Sequence, residues 1–387
     1  MAFICVRNRM KMSKYIKINA MLGIFLSFLL SPKLIYAQSW IKLGFVAGIT
    51  GMASDMDVNM RDGVLYAVEK INKFGGIAGR NVQLIIKDDK RNRDVAKKVD
   101  LELVNDHVVA IIGHSTSSMT IAGKSVADSS GKLLISPTAA SEDLFGKKDF
   151  VVCVNASLRE ETARLAKVAR LKLHIRKMAC FYDTSNRSYT ENYLTWFATF
   201  FNKYGGEIVK KVAFNSQKMD EFWKIVSDLH LKGAKGVLIV AAPLHSAILV
   251  QKIRNCKENP EIFCVSWSLT STLLKQGGKA IDKVWFCSDF NPECKKDTYI
   301  EFSRGYKERY GKEPDLISLL GYETVLILRE AIERSNGNTD NLIKYIPGEY
   351  DGLQSRFTID EYGDAHRNWY LLRVKNGKFV TLMSIDN

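Results

Sequence analysis

From Trp40 onwards, short apolar runs rich in β-branched residues alternate with longer segments of helical periodicity. The first run is Ile41 to Ala47, and apolar residues then recur at helical spacing up to about Lys73. This alternation continues through most of the chain. Strands that alternate with helices are typical of βαβ units, in which helices cover a sheet of parallel strands. The sequence therefore predicts an α/β fold.

The first 37 residues differ from the rest of the chain in composition. They carry six basic residues and no acidic residue, and an apolar run from Ala20 to Leu30 ends before Pro32. A basic segment followed by an apolar run of this length is typical of a secretory signal peptide. We expect cleavage before Gln38, which removes residues 1–37 and lowers the formal net charge from +14 to +8.

After that cleavage the chain is moderately basic and contains no long run of lysine or arginine. Diffuse positive charge of this kind is typical of soluble proteins that attract anionic solutes, so we expect no nucleic-acid partner. About 350 residues remain, which exceeds what one hydrophobic core usually serves and predicts two domains. A second series of alternating strands and helices begins near Ser157.

Six cysteines follow the signal segment: Cys153, Cys180, Cys256, Cys264, Cys287 and Cys294. An exported protein meets an oxidising compartment in which cysteines can pair. The predicted disulfides join the neighbours in sequence, Cys256 with Cys264 and Cys287 with Cys294, although spacing alone does not fix connectivity. The chain has no Cys-x-x-Cys and no His-Glu-x-x-His pattern, so we predict no metal site and no cofactor.

The segment from Val108 to Ser118 joins an apolar run to a row of hydroxyl side chains. A helix-compatible segment follows, and Ser117 or Ser118 is placed to cap its first turn. Hydroxyls and free backbone N–H groups at a helix N-terminus bind anions, because unpaired donors and the positive end of the helix dipole point the same way. The segment therefore predicts a carboxylate or phosphate site. The alternative is that the serines only cap the helix.

Two further loops follow predicted strands and are expected near the same site. One is Gly48–Asp55, and the other is Ser136–Ser141, which follows the run Leu133 to Ile135. In an open parallel sheet, the loops at the carboxyl ends of neighbouring strands converge on one crevice. We therefore expect the hydroxyls and backbone groups of all three loops to line one binding site.

Five segments, taken in order, carry a resemblance to a known family: Asp62-Gly63 through Ile71-Asn72, Phe74 to Arg80, Asp88-Asp89, Ile111 to Ser118 and Ile135 to Ala140. They resemble the leucine/isoleucine/valine-binding protein family, which are periplasmic solute-binding proteins of ABC transporters. The resemblance covers essentially all of the chain after the signal segment. It implies two Rossmann-like lobes joined by a three-segment hinge, which is the type I periplasmic-binding fold, with the ligand held between the lobes.

The resemblance also implies where the chain crosses between the lobes. The crossings fall near Asn155–Leu158, Ser288–Asn291 and Gly348–Gly352. Lobe 1 would then comprise residues 40–156 and 289–350, and lobe 2 would comprise residues 157–288 and 351–387.

In the amino-acid-binding members, the serine that matches Ser117 and the loop that matches Thr138 to Ala140 hold the carboxylate and amino group of the ligand. An aromatic residue that matches Tyr189 closes from the other lobe. We therefore expect Ser117, Thr138 and Ala140 to hold an anionic group, and Tyr189 and Trp267 to shape the pocket. The alternative for Tyr189 and Trp267 is ordinary core packing.

One departure from the family concerns the acid that pairs with the ligand's ammonium group. The matching segment, Val265 to Thr270, contains no acid. A buried ammonium without a carboxylate would be costly. We therefore expect a carboxylate without an amine, an aromatic acid stacked on Trp267 or Tyr189, or an amide. Alternatively, Asp55 or Asp289 supplies the acid from another loop.

Together these features predict a periplasmic solute-binding protein, monomeric, that captures a small organic solute, an amino acid or another carboxylate-bearing compound, by hinge closure and delivers it to an ABC permease in the inner membrane. The alternative is a sensing protein that presents its closed state to a membrane receptor or kinase. We predict no enzyme activity and no catalytic residue, because Ser117 replaces the second glycine of a hydrolase Gly-x-Ser-x-Gly turn. His114 is expected to be a turn residue.

Overall fold

The computed structural model describes residues 40–50 and 55–385, and the predicted signal peptide lies outside them. The described residues form two α/β sheets, one in each lobe. This confirms the fold class that the sequence predicts. Among the described residues, no helix has the length and apolar character needed to cross a membrane.

Lobe 1 is built on an eight-stranded sheet. Its strands are β1 (Ile41–Ala47), β2 (Val82–Asp88), β3 (Ala110–Gly113), β4 (Leu133–Ser136), β5 (Val151–Ala156), β11 (Gly348–Asp351), β12 (Arg356–Ile359) and β13 (Asp364–His366). Their order across the sheet is β11-β12-β13-β5-β4-β3-β1-β2, and β1 to β5 are parallel. Its helices are α1 (Asp55–Lys73), α2 (Arg93–Asn105), α3 (Ser117–Ser130), α9 (Asp297–Tyr310) and α10 (Leu316–Arg334).

Lobe 2 is built on a seven-stranded sheet. Its strands are β6 (Lys177–Asp183), β7 (Glu207–Phe214), β8 (Gly236–Val240), β9 (Glu261–Cys264), β10 (Trp285–Ser288), β14 (Tyr370–Lys375) and β15 (Lys378–Ser384). Their order is β15-β14-β10-β9-β8-β6-β7, with β6 to β10 parallel and the last two strands antiparallel. Its helices are α4 (Leu158–Lys167), α5 (Arg187–Lys203), α6 (Met219–Ser227), α7 (Pro243–Ile253) and α8 (Ser271–Gly277).

Helices α1 and α10 pack closely against each other on one face of the lobe 1 sheet. A side chain at Gly63 would clash with the backbone of Ser318, and one at Gly321 would clash with the backbone of Met60. The two glycines therefore allow direct contact between the backbones of α1 and α10.

The chain passes between the two sheets three times. It leaves the first sheet after Ala156, returns after Ser288, and leaves again after His366. The third crossing therefore lies between His366 and Tyr370 and not near Gly348–Gly352, where the family resemblance places it. The physical reason is that Gly348–Asp351 pairs with β12 inside the first sheet, so residues 351–366 belong to lobe 1.

The two disulfides predicted from spacing are wrong. All six described cysteines are free, including Cys264 and Cys287, which are fully buried within strands. Their partners, Cys256 and Cys294, are only partly buried and lie outside those strands. Closeness in sequence therefore does not bring the thiols together here.

Candidate ligand-binding site

Ser117, Thr138 and Ala140 come together at the carboxyl ends of the neighbouring strands β3 and β4. Ser117 Oγ accepts hydrogen bonds from the backbone N–H groups of Ala140 at 3.2 Å and Ser141 at 3.3 Å. Thr138 Oγ1 donates to the carbonyl oxygen of Ser115 at 2.7 Å. Both contacts of Ser117 use its oxygen as an acceptor, so its O–H remains a donor for another group.

The residue that caps helix α3 is Thr116, whose Oγ1 accepts a hydrogen bond from the backbone N–H of Met119 at 3.4 Å. The prediction that Ser117 or Ser118 is the cap is therefore wrong by one or two residues. Thr116 has the extended backbone that a capping residue requires, whereas Ser117 and Ser118 already belong to the first helical turn. Their hydroxyls are consequently not used in capping.

An oxygen atom from lobe 2 lies at the N-terminus of α3. The backbone N–H of Ser118 donates to Asn186 Oδ1 at 3.3 Å, and the Ser118 hydroxyl donates to the same oxygen at 3.0 Å. The side-chain oxygen of Asn186 thus occupies the kind of position that an anionic oxygen takes at a helix N-terminus. Sequence reasoning missed Asn186. Its only signal was its place in a loop at the end of strand β6.

Further hydrogen bonds join the lobes beside this contact. Ser141 Oγ donates to the carbonyl oxygen of Ser188 at 2.8 Å, and the side-chain amide of Asn192 donates to the Asp143 carboxylate at 3.1 Å. Ser141 and Asp143 follow β4 in lobe 1, whereas Ser188 and Asn192 lie on α5 in lobe 2. The lobes are therefore closed on each other at the end of the crevice that contains Ser117.

Tyr189 and Trp267 lie in lobe 2 and pack against each other. Their ring centroids are 5.7 Å apart and the interplanar angle is 67°. Trp267 packs against the hydrophobic cores of both lobes, and Tyr189 belongs to the same buried cluster as Ala140. Since Ser117 and Tyr189 are 1% and 5% exposed, a solute can reach them only when the lobes separate.

Glu161 is a buried acid that the sequence analysis missed. It lies on α4 and accepts hydrogen bonds from the Tyr193 hydroxyl at 2.9 Å, the Ser266 backbone N–H at 3.1 Å and the Ser266 hydroxyl at 2.8 Å. Burial raises the pKa of Glu161 to about 7, and the Ser266 bonds oppose that rise. These bonds hold the segment that carries Trp267. Glu161 lies on the same buried face of its helix as Leu158 and Leu165, and an acid at such a position indicates a buried polar contact.

The two acids that the sequence offers as ammonium partners, Asp55 and Asp289, each have one buried carboxylate oxygen, Oδ2, without a hydrogen-bond partner among the described residues. The Asp289 carboxylate lies 3.7 Å from the Arg367 guanidinium, and the charge of Asp55 contributes to raising the pKa of Arg91. Burial raises the pKa of Asp289 to about 6, against the opposing effect of Arg367. Across residues 40–50 and 55–385, no group of His, Cys, Asp and Glu side chains is arranged to hold a metal ion.

His114 is fully buried and connects two aspartates, so it does more than form a turn. Its Nδ1 lies 2.7 Å from Asp89 and its Nε2 lies 3.1 Å from Asp100. Burial by itself lowers the pKa of His114, but the charges and hydrogen bonds of Asp100 and Asp89 outweigh burial and raise it to about 9. Any side chain at Gly123 would collide with this contact. His114 thus anchors the turn that presents Ser117.

We expect the melting temperature to fall as the pH rises from about 5 to about 9.5. The folded protein binds protons more tightly than the unfolded chain at His114, Glu161 and Asp289. Each of these groups contributes its full stabilisation at pH values below its pKa in the unfolded chain. That contribution is lost as the pH rises through the pKa of the same group in the folded protein. Calorimetric scans across this pH range measure the melting temperature. In the His114→Leu variant, the fall in melting temperature between about pH 6.5 and 9 should be smaller.

Residues 40–378 match the family model described as periplasmic binding protein. The chain is 32% identical over 108 residues to the leucine-, isoleucine-, valine-, threonine- and alanine-binding protein of Pseudomonas aeruginosa, which covers 28% of this chain and 29% of that protein. The match therefore covers less than a third of the relative's length.

Two solved structures share the fold over most of the chain. A leucine-binding protein from Thermotoga maritima has a TM-score of 0.81 at 24% identity, covering 89% of this chain and 99% of that one. A solute-binding protein of an ABC transporter from R. palustris, in complex with benzoate, has a TM-score of 0.79 at 15% identity, covering 90% and 98%. The resemblance inferred from sequence motifs is confirmed.

Proposed function

The chain belongs to the periplasmic binding protein family, and we propose that it is the solute-binding component of an ABC transporter. In this proposal it captures a small organic carboxylate between its two lobes. Ser117, Thr138 and Ala140 of lobe 1 and Tyr189 and Trp267 of lobe 2 form the binding site. Ser118 completes the end of the site that receives the carboxylate, where an oxygen of the solute takes the place of Asn186 Oδ1.

The observation that carries this proposal is the contact between Asn186 and the N-terminus of α3. An uncharged amide oxygen already receives two hydrogen bonds there, from the N–H and the hydroxyl of Ser118. A carboxylate oxygen in the same place would make charge-assisted hydrogen bonds and would interact favourably with the helix dipole. The free O–H of Ser117 supplies a further donor for it.

The charges around the site favour a carboxylate that has no amine. Glu161 is engaged by three donors, and Asp289 lies beside Arg367. An ammonium group would have to compete with those partners for a carboxylate. Tyr189 and Trp267 instead offer aromatic surface for an apolar or aromatic body. The benzoate bound by the R. palustris protein is a ligand of this chemistry.

Hinge closure connects binding to transport in this proposal. The solute contacts both lobes only when they are closed, so binding shifts the protein towards the closed form and presents an altered surface to a membrane permease. We propose that the chain acts in the periplasm as a monomer, after removal of residues 1–37.

Replacing Ser117 with alanine should weaken carboxylate binding about tenfold, because it removes a hydrogen bond to a charged group. The measurement is a thermal-shift titration of the purified protein with benzoate, 3-phenylpropanoate and 4-methylpentanoate. At about 100 times the dissociation constant, a bound ligand adds roughly 2.7 kcal/mol of stability.

Ser125→Ala is the matched control for that titration. Ser125 is on the same helix, is exposed, and donates only to the carbonyl oxygen of Ala122. It should leave the shift unchanged. If none of the three acids raises the melting temperature, or if Ser117→Ala responds like the wild type, the proposed site is wrong.

A further inference from the structure

A groove on lobe 2 has an apolar lining and three basic residues around it. Its volume is about 480 Å³, and it is formed by the C-terminal half of α4, the π-helical turn Val168–Lys172 and the end of β15. None of the described residues that line it is acidic. We call this feature the basic groove, after its lining residues Arg164, Lys167 and Lys172.

The basic groove is separate from the solute site. Tyr204 lines the groove and follows the last turn of α5, whereas Tyr189 lies in the first turn of the same helix. At a rise of about 1.5 Å per residue, the helix places the two tyrosines about 22 Å apart. None of the residues proposed for the solute site lines the groove. A ligand of the groove would therefore not compete with the solute.

The positive charge of the groove is not neutralised by neighbouring acids. Residues 163–177 include six lysines and arginines and no aspartate or glutamate. Lys167 is exposed and has no ion-pair partner among the described residues. Lys172 is also exposed, and its Nζ donates to Met383 Sδ at 3.0 Å and not to a carboxylate. The charges of both lysines are therefore available to an external anion.

Apolar side chains are exposed beside these lysines. Leu171 is 48% exposed and Met383 is 42% exposed, and both line the groove. Leu171 lies in the π-helical turn, a rare conformation that is often found at functional sites. Exposed apolar side chains next to available cations match a partner that offers negative charge and hydrocarbon at one surface.

We propose that the basic groove docks on the surface of an anionic phospholipid membrane. Lys167 and Lys172 contact the phosphates, and Leu171 and Met383 contact the hydrocarbon beneath them. Phospholipids present both features together, and a basic segment with exposed apolar residues is typical of proteins that bind membrane surfaces. Such docking would hold the protein beside a membrane permease. Only this consequence rests on the proposed function, because binding to lipid needs neither solute nor permease.

The test is sedimentation of the protein with vesicles of phosphatidylcholine alone or with about 30% phosphatidylglycerol added. The form without residues 1–37 is used, because that basic and apolar segment would itself bind vesicles and both lobes lie within residues 40–385. We expect at least about tenfold tighter binding to the anionic vesicles. Binding should weaken as the salt concentration rises from about 0.1 M to about 0.5 M.

The first variant removes charge from the groove. Lys167→Gln/Lys172→Gln should weaken binding to the anionic vesicles about tenfold to thirtyfold, since each lysine near such a surface contributes about fivefold. Its matched control is Lys97→Gln/Lys98→Gln, which removes the same charge from two exposed lysines on α2 of lobe 1. The control should bind within about twofold of the wild type.

The second variant removes apolar contact without changing charge. Leu171→Gln should weaken binding to the anionic vesicles about threefold to tenfold. Its matched control is Leu101→Gln on α2, where the leucine is 50% exposed, close to the 48% of Leu171. This control should leave binding unchanged. Circular dichroism melting curves check that each variant is folded, and the leucine pair decides the question if the lysine variant does not fold.

Equal binding to neutral and anionic vesicles would overturn the proposal, as would equal losses in the groove variants and their controls. Absence of binding to both kinds of vesicle would also overturn it and would favour an acidic protein surface as the occupant of the groove. Because the assay contains no solute, none of these outcomes depends on whether the chain binds carboxylates.

Discussion

Replacing His114 with leucine is expected to lower the free energy of unfolding by about 3–5 kcal/mol. His114 is 0% exposed and lies between the carboxylates of Asp89 and Asp100, which are also fully buried. The substitution leaves two buried acids without their shared basic partner, and such uncompensated charges are strongly destabilising. Urea unfolding followed by circular dichroism at pH 7 measures the change.

His245→Leu is the matched control for His114→Leu. His245 is 2% exposed, packs against Phe214 and Phe222, and has no hydrogen-bond partner on either ring nitrogen among the described residues. Removing a buried polar group that has no partner can be neutral or stabilising, so we expect a change within about 1 kcal/mol. Equal losses in the two variants would mean that the aspartates do not depend on His114.

Replacing Asn186 with aspartate should weaken binding of an external carboxylate by about tenfold to a hundredfold. The new carboxylate would keep both contacts with Ser118 and would repel the carboxylate of a solute. Calorimetric titration with benzoate, or with the strongest ligand among the acids tested, measures the loss.

Asn186→Ala separates this charge effect from loss of the interlobe contact. It removes the oxygen that Ser118 donates to but introduces no charge, so its effect on affinity should be only a few-fold. A melting temperature close to that of the wild type shows that the aspartate variant is folded. If the aspartate variant binds carboxylates as tightly as the alanine variant, the solute does not occupy the N-terminus of α3.

Periodicity predicted the two-lobed α/β fold because most helices and strands have an unambiguous pattern. Helix α10, Leu316–Arg334, shows such a pattern, since apolar residues recur throughout its length. Strand β13, Asp364–His366, was missed because its three residues are partly polar and follow a turn. Its pairing with β5 is a long-range contact, and this is what moves the third crossing.

Local motifs predicted that Ser117 and Ala140 lie together, but not the groups that hold their loops in place. Ser117 and Ala140 follow neighbouring parallel strands, and loops at the carboxyl ends of such strands converge, so the strand pattern is enough to bring them together. The roles of His114 and Asn186 depend instead on which side chains face them, Asp89 and Asp100 for His114 and Ser118 for Asn186. Single-sequence patterns carry no information about such pairings. Glu161 was detectable in principle as an acid on the buried face of a helix.

The most direct test of the central claim is a calorimetric comparison of 3-phenylpropanoate with L-phenylalanine. The two compounds share a skeleton and differ in the amino group. Our account predicts that the carboxylate without the amine binds at least about tenfold more tightly, because an ammonium group would have to compete for Glu161 with its three donors and for Asp289 with Arg367. Tighter binding of phenylalanine, abolished by Ser117→Ala, would show that the site accepts amino acids and would contradict the assignment to carboxylates without an amine.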